Sequence, residues 1–358
     1  MVTLGIIVTN LLQEEDYFTA IAEASVLKNV SIFLFSPKDI DLTARTARGK
    51  AFCPHENQWL TKDFPLPTYI YDRCFYDNED TFKSIYPNIT WLKSQPDIQF
   101  LGHGLPNKWV VFNALKEDPF INHFLPETEL LTTDTLFTAL SRLHSILVKP
   151  VSGSQGKGIF IVSSKNKKFA LTAKKYGTPF EKLLSKKQLE HLVEKVTEKR
   201  RYLCQPFLSL NNHEQRPFDL RVFLQRNSQG DWTEIGRGIR TGKIGDFTSN
   251  LGSGGQVESY EDWLHLLPLD AQLPLQTQLQ ALIERIPSAL EKHGYELFEL
   301  GLDFGFDTDG KLWLLEVNSK PGRKVITTSF PHKTATLASS PIHYCLYLDA
   351  KRKGVGVS

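Results

Sequence analysis

Asp303, Glu316 and Asn318 are spaced so that together they could hold a hard metal ion. They flank Asp309-Gly310, set between two alternating apolar runs, the strongest short-range signal for a two-residue β-turn. With those two residues as the loop, Thr308 faces Lys311, and counting back along both strands sets Asp303 opposite Glu316. Side chains alternate faces along a strand, so Glu316 and Asn318 project together, and cross-strand pairing brings Asp303 to the same side. Two directly opposed carboxylates repel unless something neutralises them. Mg²⁺ takes carboxylate and amide oxygens and commonly shares its remaining positions between water and a substrate phosphate. Leu302, Phe304, Phe306, Leu312, Leu314 and Leu315 occupy the other hairpin positions and are expected in the core.

Upstream lies a second chemical signal, Ser152, Gly153, Ser154, Gln155, Gly156 and Gly158 after Lys149-Pro150. The glycines permit φ > 0 and close backbone approach, so successive N–H groups can turn toward phosphate oxygens. The segment is not a Walker loop, because Gly158 follows Lys157 and a strand, Gly158 to Val162, follows in place of a helix. A Gly-rich loop between two strands, with Lys149 on the first, is a flap over a nucleotide. Between flap and hairpin, strand alternation over Phe218 to Gln225 puts Asp219 and Arg221 on one face and Leu220 and Val222 on the other. Arg240 then leads into Asp246 to Gly255. Guanidinium stays charged and binds phosphate in bidentate fashion, so these arginines suit a polyphosphate clamp, although each taken singly is equally a surface charge.

The elements that must position these groups can be read from periodicity. Leu4 to Val8 and Val30 to Phe35 read as strands, with a helix over Asp16 to Leu27 between them. Pro65 to Arg73 reads as a further strand running into a loop, with Asp72 and Arg73 at its edge as either acceptor-substrate contacts or a structural ion pair. Helices are expected over Lys108 to Lys116, Thr133 to Leu143 and Gln188 to Arg200, and over Leu275 to His293 with a break or kink near Pro287. Ser163 to Lys168 reads as a solvated Lys-rich turn. Arg201 to Leu208 is a strand stopped by Pro206, as expected of a hinge, and the tail from Lys351 to Ser358 is expected to fray.

At 358 residues, with 41% apolar and 23% charged residues, the chain is long enough for two or three domains of ordinary composition. Forty-two Lys and Arg against 40 Asp and Glu argue against general nucleic-acid binding. No stretch approaches roughly 18 apolar residues, so no membrane span is expected. The first residues lack the positive region of a secretory signal. Four widely spaced cysteines indicate neither a zinc site nor a disulfide framework, and a reducing, cytoplasmic setting is the simpler expectation.

The order Lys-Pro, Gly-rich flap, Gln-Pro hinge, Asp-x-Arg, Asn with Gly-Gly, Asp, then Glu-x-Asn resembles the ATP-grasp superfamily, similar to its RimK-like and glutathione-synthetase-like ligases. Within it, Asn107-Lys108-Trp109, Leu125 to Thr128, Val148 to Pro150 with the flap, and Phe218 to Val222 look closest to the YheC/YheD group of endospore coat-associated proteins. The resemblance implies an α/β (α+β) ATP-grasp fold: an N-terminal α/β domain over 1–105, a lid domain over 106–200, a catalytic domain on an antiparallel sheet over 201–345, and a tail over 346–358. It implies that Lys149 contacts the α and β phosphates, that Lys108 reaches the nucleotide from the preceding segment, and that Gln205 and Phe207 lie near adenine. Arg221 and Arg240 would hold the γ-phosphate and the developing acyl phosphate, and Asn250 with Gly254-Gly255 would shape the acceptor pocket. Asp303, Glu316 and Asn318 would coordinate one or two Mg²⁺. The implied activity is ATP-dependent ligation of a carboxylate to an amine, with a nucleotide-binding scaffold or a kinase as alternatives. Association with spore coat proteins in the developing spore is implied by the same resemblance.

Overall fold

The computed structural model describes residues 1–76, 79–153, 156–175, 178–249, 251 and 254–354. Three six- or five-stranded sheets follow one another along the chain. The first contains β1 (Val2–Ile7), β2 (Val30–Asp41), β3 (Thr46–Cys53), β4 (Gln58–Pro65), β5 (Tyr69–Asp72) and β6 (Gln99–Phe100), in the order β4-β3-β2-β1-β5-β6. β1 runs parallel to β2 and β5, and the crossovers carry α1 (Glu15–Val26) before β2 and α2 (Glu79–Lys93) before β6. The β2–β3–β4 edge is antiparallel and was not foreseen, because β3 and β4 lack an apolar run.

After α3 (Lys108–Lys116) and α4 (Pro119–Asn122), the second sheet takes β7 (Glu129–Leu130), β8 (Ser145–Pro150), β9 (Phe160–Lys165), β10 (Lys168–Lys175), β11 (Thr178–Leu184) and β12 (Tyr202–Pro206). Its order is β11-β10-β9-β8-β12-β7, and every pairing is antiparallel. α5 (Thr133–Arg142) and α6 (Lys186–Lys199) each begin with a capping box, at Thr132 and Ser185, and bury Leu136, Leu140, Leu189 and Val193 against one face of the sheet. Ser163 to Lys165 belong to β9 rather than to a solvated loop. The turn itself is only Asn166 and Lys167, at φ 46° and 62°, the left-handed pair that a tight hairpin requires.

The third sheet is β15-β14-β13-β16-β17, built from β13 (Phe218–Arg226), β14 (Trp232–Thr241), β15 (Gln256–Glu258), β16 (Glu299–Phe306) and β17 (Leu312–Asn318). α7 (Tyr260–His265) and α8 (Leu269–Glu291) pack on one face, with Leu220, Val222, Leu302, Phe304, Leu279, Leu282 and Ile286 in one core. α8 passes through Pro287 without breaking; Pro287 is buried with its neighbours, and that packing offsets the lost N–H bond. The chain then forms α9 (Lys324–Ser329) and α10 (Thr334–Arg352). α10 returns to the first sheet, where Ala338, Ile342, Cys345 and Leu348 share a core with Leu4, Ile6, Phe18 and Ile21. No helix among the described residues is long and apolar enough to cross a membrane.

Candidate functional site

The acidic hairpin has the expected alignment for an unexpected reason. Asp303 pairs with Glu316, and Gly301 with Asn318. Nearer the tip, however, Phe306 pairs with Leu312, so the loop runs from Asp307 to Lys311 and is not a two-residue turn on Asp309-Gly310. The Asp307 carboxylate organises it by accepting from the Asp309 and Lys311 amides at 3.0 and 2.9 Å and from Trp313 Nε1 at 2.7 Å. The longer loop shifts the register by one residue, and a β-bulge at Leu315 shifts it back. Leu315 is thereby displaced from the core alignment, and its carbonyl accepts from Lys149 Nζ at 3.4 Å.

The face of the sheet opposite α8 carries the charges. Alternation along β13 brings Asp219 and Arg221 onto it, as the sequence indicates, and register places Arg240 opposite Asp219 and Asp303 opposite Arg221. Arg221 grips Asp303 in a fork, through Nε and through Nη2 at 2.9 Å. Gly301 makes room for it: a Cβ there would come within 2.9 Å of Arg221 Nη1. Arg240 bridges two acids, bonding Asp219 at 2.6 and 2.7 Å and reaching Asp303 at 3.0 Å. Asn318 Nδ2 lies 3.4 Å from Asp303 Oδ2. Burial would raise the Asp303 carboxyl, but Arg221 and Arg240 outweigh it and hold it below the ordinary carboxylate value.

Two lysines from the other units complete the cluster. Lys108, the first residue of α3 after the Asn107 cap, pairs with Glu316 at 3.2 Å and donates to Gly153 O at 2.5 Å, joining hairpin to flap. Lys149 comes from β8. Burial and the Lys108 charge lower its amine to about 8, opposed by Glu316 and Asp303. Asp219, Asp303 and Glu316 are thus faced by Arg221, Arg240, Lys108 and Lys149, one cation in excess. Among the described residues no three His, Cys, Asp or Glu could enclose a metal. The hairpin offers two carboxylates and one amide, a hard-oxygen set that fits Mg²⁺ only as part of a shell completed by other oxygens.

The flap turns as its glycines allow: Gly153, Gly156 and Gly158 have φ of 131°, 69° and 78°. Ser152 is exposed beside them, while Ser154, Gln155 and Asn250 lie outside the described residues. Register shows what faces the same way as Lys149: Leu147, paired with Ile161 and with Gln205, and Leu203, paired with Lys149 itself. These aliphatic side chains form an apolar wall that motif reading missed, although the alternation of Ser145 to Pro150 contains it. Gln205 is buried, and its amide donates to Thr128 Oγ1 at 2.6 Å; Phe207, one residue past β12, is exposed.

Arg73 and Asp72 do not join this site. Arg73 is wholly buried, bonding Glu299 at 2.6 Å and Glu14 at 2.8 and 3.1 Å. Arg323 completes the group, pairing with Glu14 and donating to Tyr71 OH at 2.8 Å. Asp72 accepts from Lys320 Nζ at 2.6 Å and from the Cys74 amide at 2.9 Å. Each is held by partners other than its neighbour, Arg73 by Glu14 and Glu299 and Asp72 by Lys320.

Residues 97–348 match the family model described as YheC/D like ATP-grasp. The chain is 30% identical over 368 residues to the endospore coat-associated protein YheC of Bacillus subtilis, spanning 100% of this chain and 99% of the relative. It is 26% identical over 329 residues to the endospore coat-associated protein YheD of the same organism, covering 89% of this chain and 71% of YheD. Among solved structures, D-alanyl-alanine synthetase A from Vibrio cholerae matches with a TM-score of 0.53 at 13% identity, over 98% of this chain and 96% of that one. The D-alanine-D-alanine ligase from Coxiella burnetii matches at 0.52 and 10% identity, over 99% and 98%. At such identities the solved structures speak for the fold, which is ATP-grasp.

Proposed function

Because the chain belongs to the YheC/D-like ATP-grasp family, we propose that it is an ATP-dependent carboxylate–amine ligase working through an acyl phosphate. The observation that carries this reading is the excess cation beside an aligned pair of hairpin acids: Arg221, Arg240, Lys108 and Lys149 against Asp219, Asp303 and Glu316. Such a face suits a polyphosphate that arrives with its own divalent cation. Adenine would rest on the wall of Leu147, Ile161 and Leu203, near Gln205 and Phe207. Lys149 and Lys108 would hold the phosphates under the flap of Ser152, Gly153, Gly156 and Gly158. Asp303, Glu316 and Asn318 would hold Mg²⁺, which when bound supplies charge neutralisation on the phosphate oxygens.

In the first step a carboxylate oxygen of the substrate attacks the γ-phosphorus and ADP leaves. In the second, an amine nitrogen attacks the acyl carbon, phosphate leaves and the amine gives up a proton. Arg221 and Arg240 lower the barrier by facing the charge that both anions bring together, and no covalent protein nucleophile is required. The flap excludes water, which would otherwise hydrolyse the acyl phosphate. The names of the two relatives extend the proposal to association with the coat of a developing spore.

Thermal unfolding with and without Mg²⁺ and ATP is the direct test. Ligand at a hundredfold over its Kd adds about 2.7 kcal/mol to the stability of a protein that binds it. A Mg-dependent shift, followed by ADP release that needs both a carboxylate and an amine from a screened panel, is the expected result. ADP release needing a single acceptor would favour a kinase, a shift without turnover would favour a nucleotide-binding scaffold, and no shift at all would overturn the nucleotide site.

A further inference from the structure

The charged face is connected to the lid by contacts that nucleotide binding does not itself demand. Lys174 on β10 faces the same side of the lid sheet as Lys149, since Thr172 pairs with Ile161 and Ile161 with Leu147. Its ammonium crosses to the loop after β14, where it pairs with the Asp246 carboxylate, donates to Thr248 Oγ1 at 2.9 Å and stands 5.0 Å from the Phe247 ring centroid. Asp246 Oδ1 also accepts from the Phe247 and Thr248 amides at 2.7 and 3.2 Å, which fixes the turn. The loop folds onto its own base at Gly242, where a Cβ would fall 2.4 Å from Thr248 O. The next residue, Ser249, donates its hydroxyl to Asp219 Oδ2, and Asp219 in turn orients Arg240 toward Asp303.

We propose that Lys174 is a positioning residue: by holding the 242–249 loop against the lid, it sets Ser249 on Asp219 and so aims Arg240 at the hairpin acids. What Arg240 then does rests on the ligase reading; the contacts that aim it do not. An open lid removes the Lys174 ion pair, releases the loop and leaves Asp219 with one donor fewer. Lid position is thereby transmitted to a guanidinium on a different sheet.

The test is hydrogen exchange of the full chain across residues 242–249, with Mg-ATP titrated in parallel. Lys174→Met removes the charge. Asp246→Asn keeps the Oδ1 acceptor that fixes the turn and loses only the ion pair. Each is expected to speed exchange of the Phe247 and Thr248 amides about tenfold, and the double variant no more than Lys174→Met alone, because the ion pair is common to both. Ser249→Ala is expected to leave those amides protected while raising the Mg-ATP Kd severalfold, as Lys174→Met does. Unchanged exchange in Lys174→Met, or additive effects in the double variant, would overturn the latch. Unaltered affinity in Ser249→Ala would overturn the step from latch to Arg240. A native chain that does not bind Mg-ATP would sink the ligase reading and the Arg240 step together, and exchange would still decide the latch.

Discussion

Two arginine–carboxylate clusters share one face of the third sheet, and they differ in what they leave open. Glu299 and Asp303 stand on the same strand, four residues apart. At Glu299 the charges balance: Arg73 and Arg323 meet Glu14 and Glu299, and the Arg73 and Glu299 side chains are 0% and 2% exposed. At Asp303 the cations outnumber the acids, and Lys108 and Glu316 remain 21% and 28% exposed. Arginine and carboxylate thus make a fastening between the first and third sheets in one place and, with two lysines added, a receptive surface in the other. The distinction lies in leftover charge, since a group whose charges balance internally has little further to offer an ionic ligand.

The largest effect should come from breaking the fastening. Glu299→Ala leaves Arg73 and Arg323 with Glu14 as their one shared acid and is expected to cost about 3–5 kcal/mol in denaturant unfolding, the range for removing one partner of a buried pair. A loss under about 1 kcal/mol would erase the contrast between the clusters. Glu316→Gln, at the receptive cluster, should move stability by no more than about 0.5 kcal/mol. It should weaken Mg-dependent ATP binding by about tenfold or more, equivalent to about 1.4 kcal/mol, and an unchanged isotherm would remove Glu316 from the metal set.

A smaller effect sharpens the geometry. Asp307→Ala removes the acceptor for two loop amides and Trp313, and should cost about 1 kcal/mol while weakening Mg-ATP binding, because loop and bulge together hold Asp303 against Glu316. The smallest effect is in pH. Lys149 titrates at about 8 in the fold, below an ordinary lysine, so the unfolded chain binds more protons between about 8 and the ordinary value. The Lys149 contribution to stability therefore rises with pH across that window, while affinity for Mg-ATP falls as the ammonium is lost. Calorimetry is expected to show that fall in affinity, and Lys149→Met to lose it and to differ from the native chain in the pH dependence of thermal unfolding by the Lys149 contribution alone; the arginines of the fastening do not titrate there.

Much of the receptive cluster was legible because alternation along a strand is strictly periodic. Asp219 with Arg221, and Glu316 with Asn318, needed only that rule. The pairing of Asp303 with Glu316 was reached through a turn the chain does not make, and a bulge at Leu315 supplied the missing residue. Bulges carry no composition cue, so counting from a turn is reliable only where nothing intervenes. The fastening was not legible. Arg73 and Glu299 lie 226 residues apart, and nothing local to Glu14 announces two arginine partners. The latch escaped for the same reason, since Lys174 looks like any other lysine of a basic lid until β10 is set over the 242–249 loop.

The return of α10 to the first sheet bears on how the molecule is made. Leu4, Ile6, Phe18 and Ile21 leave the ribosome before the helix that covers them, Thr334 to Arg352, which is translated more than three hundred residues later. At roughly 5–20 residues per second, that oily surface waits for tens of seconds without its lid partner. A chain cut short of Thr334 would keep that apolar face uncovered, however completely the first sheet had formed.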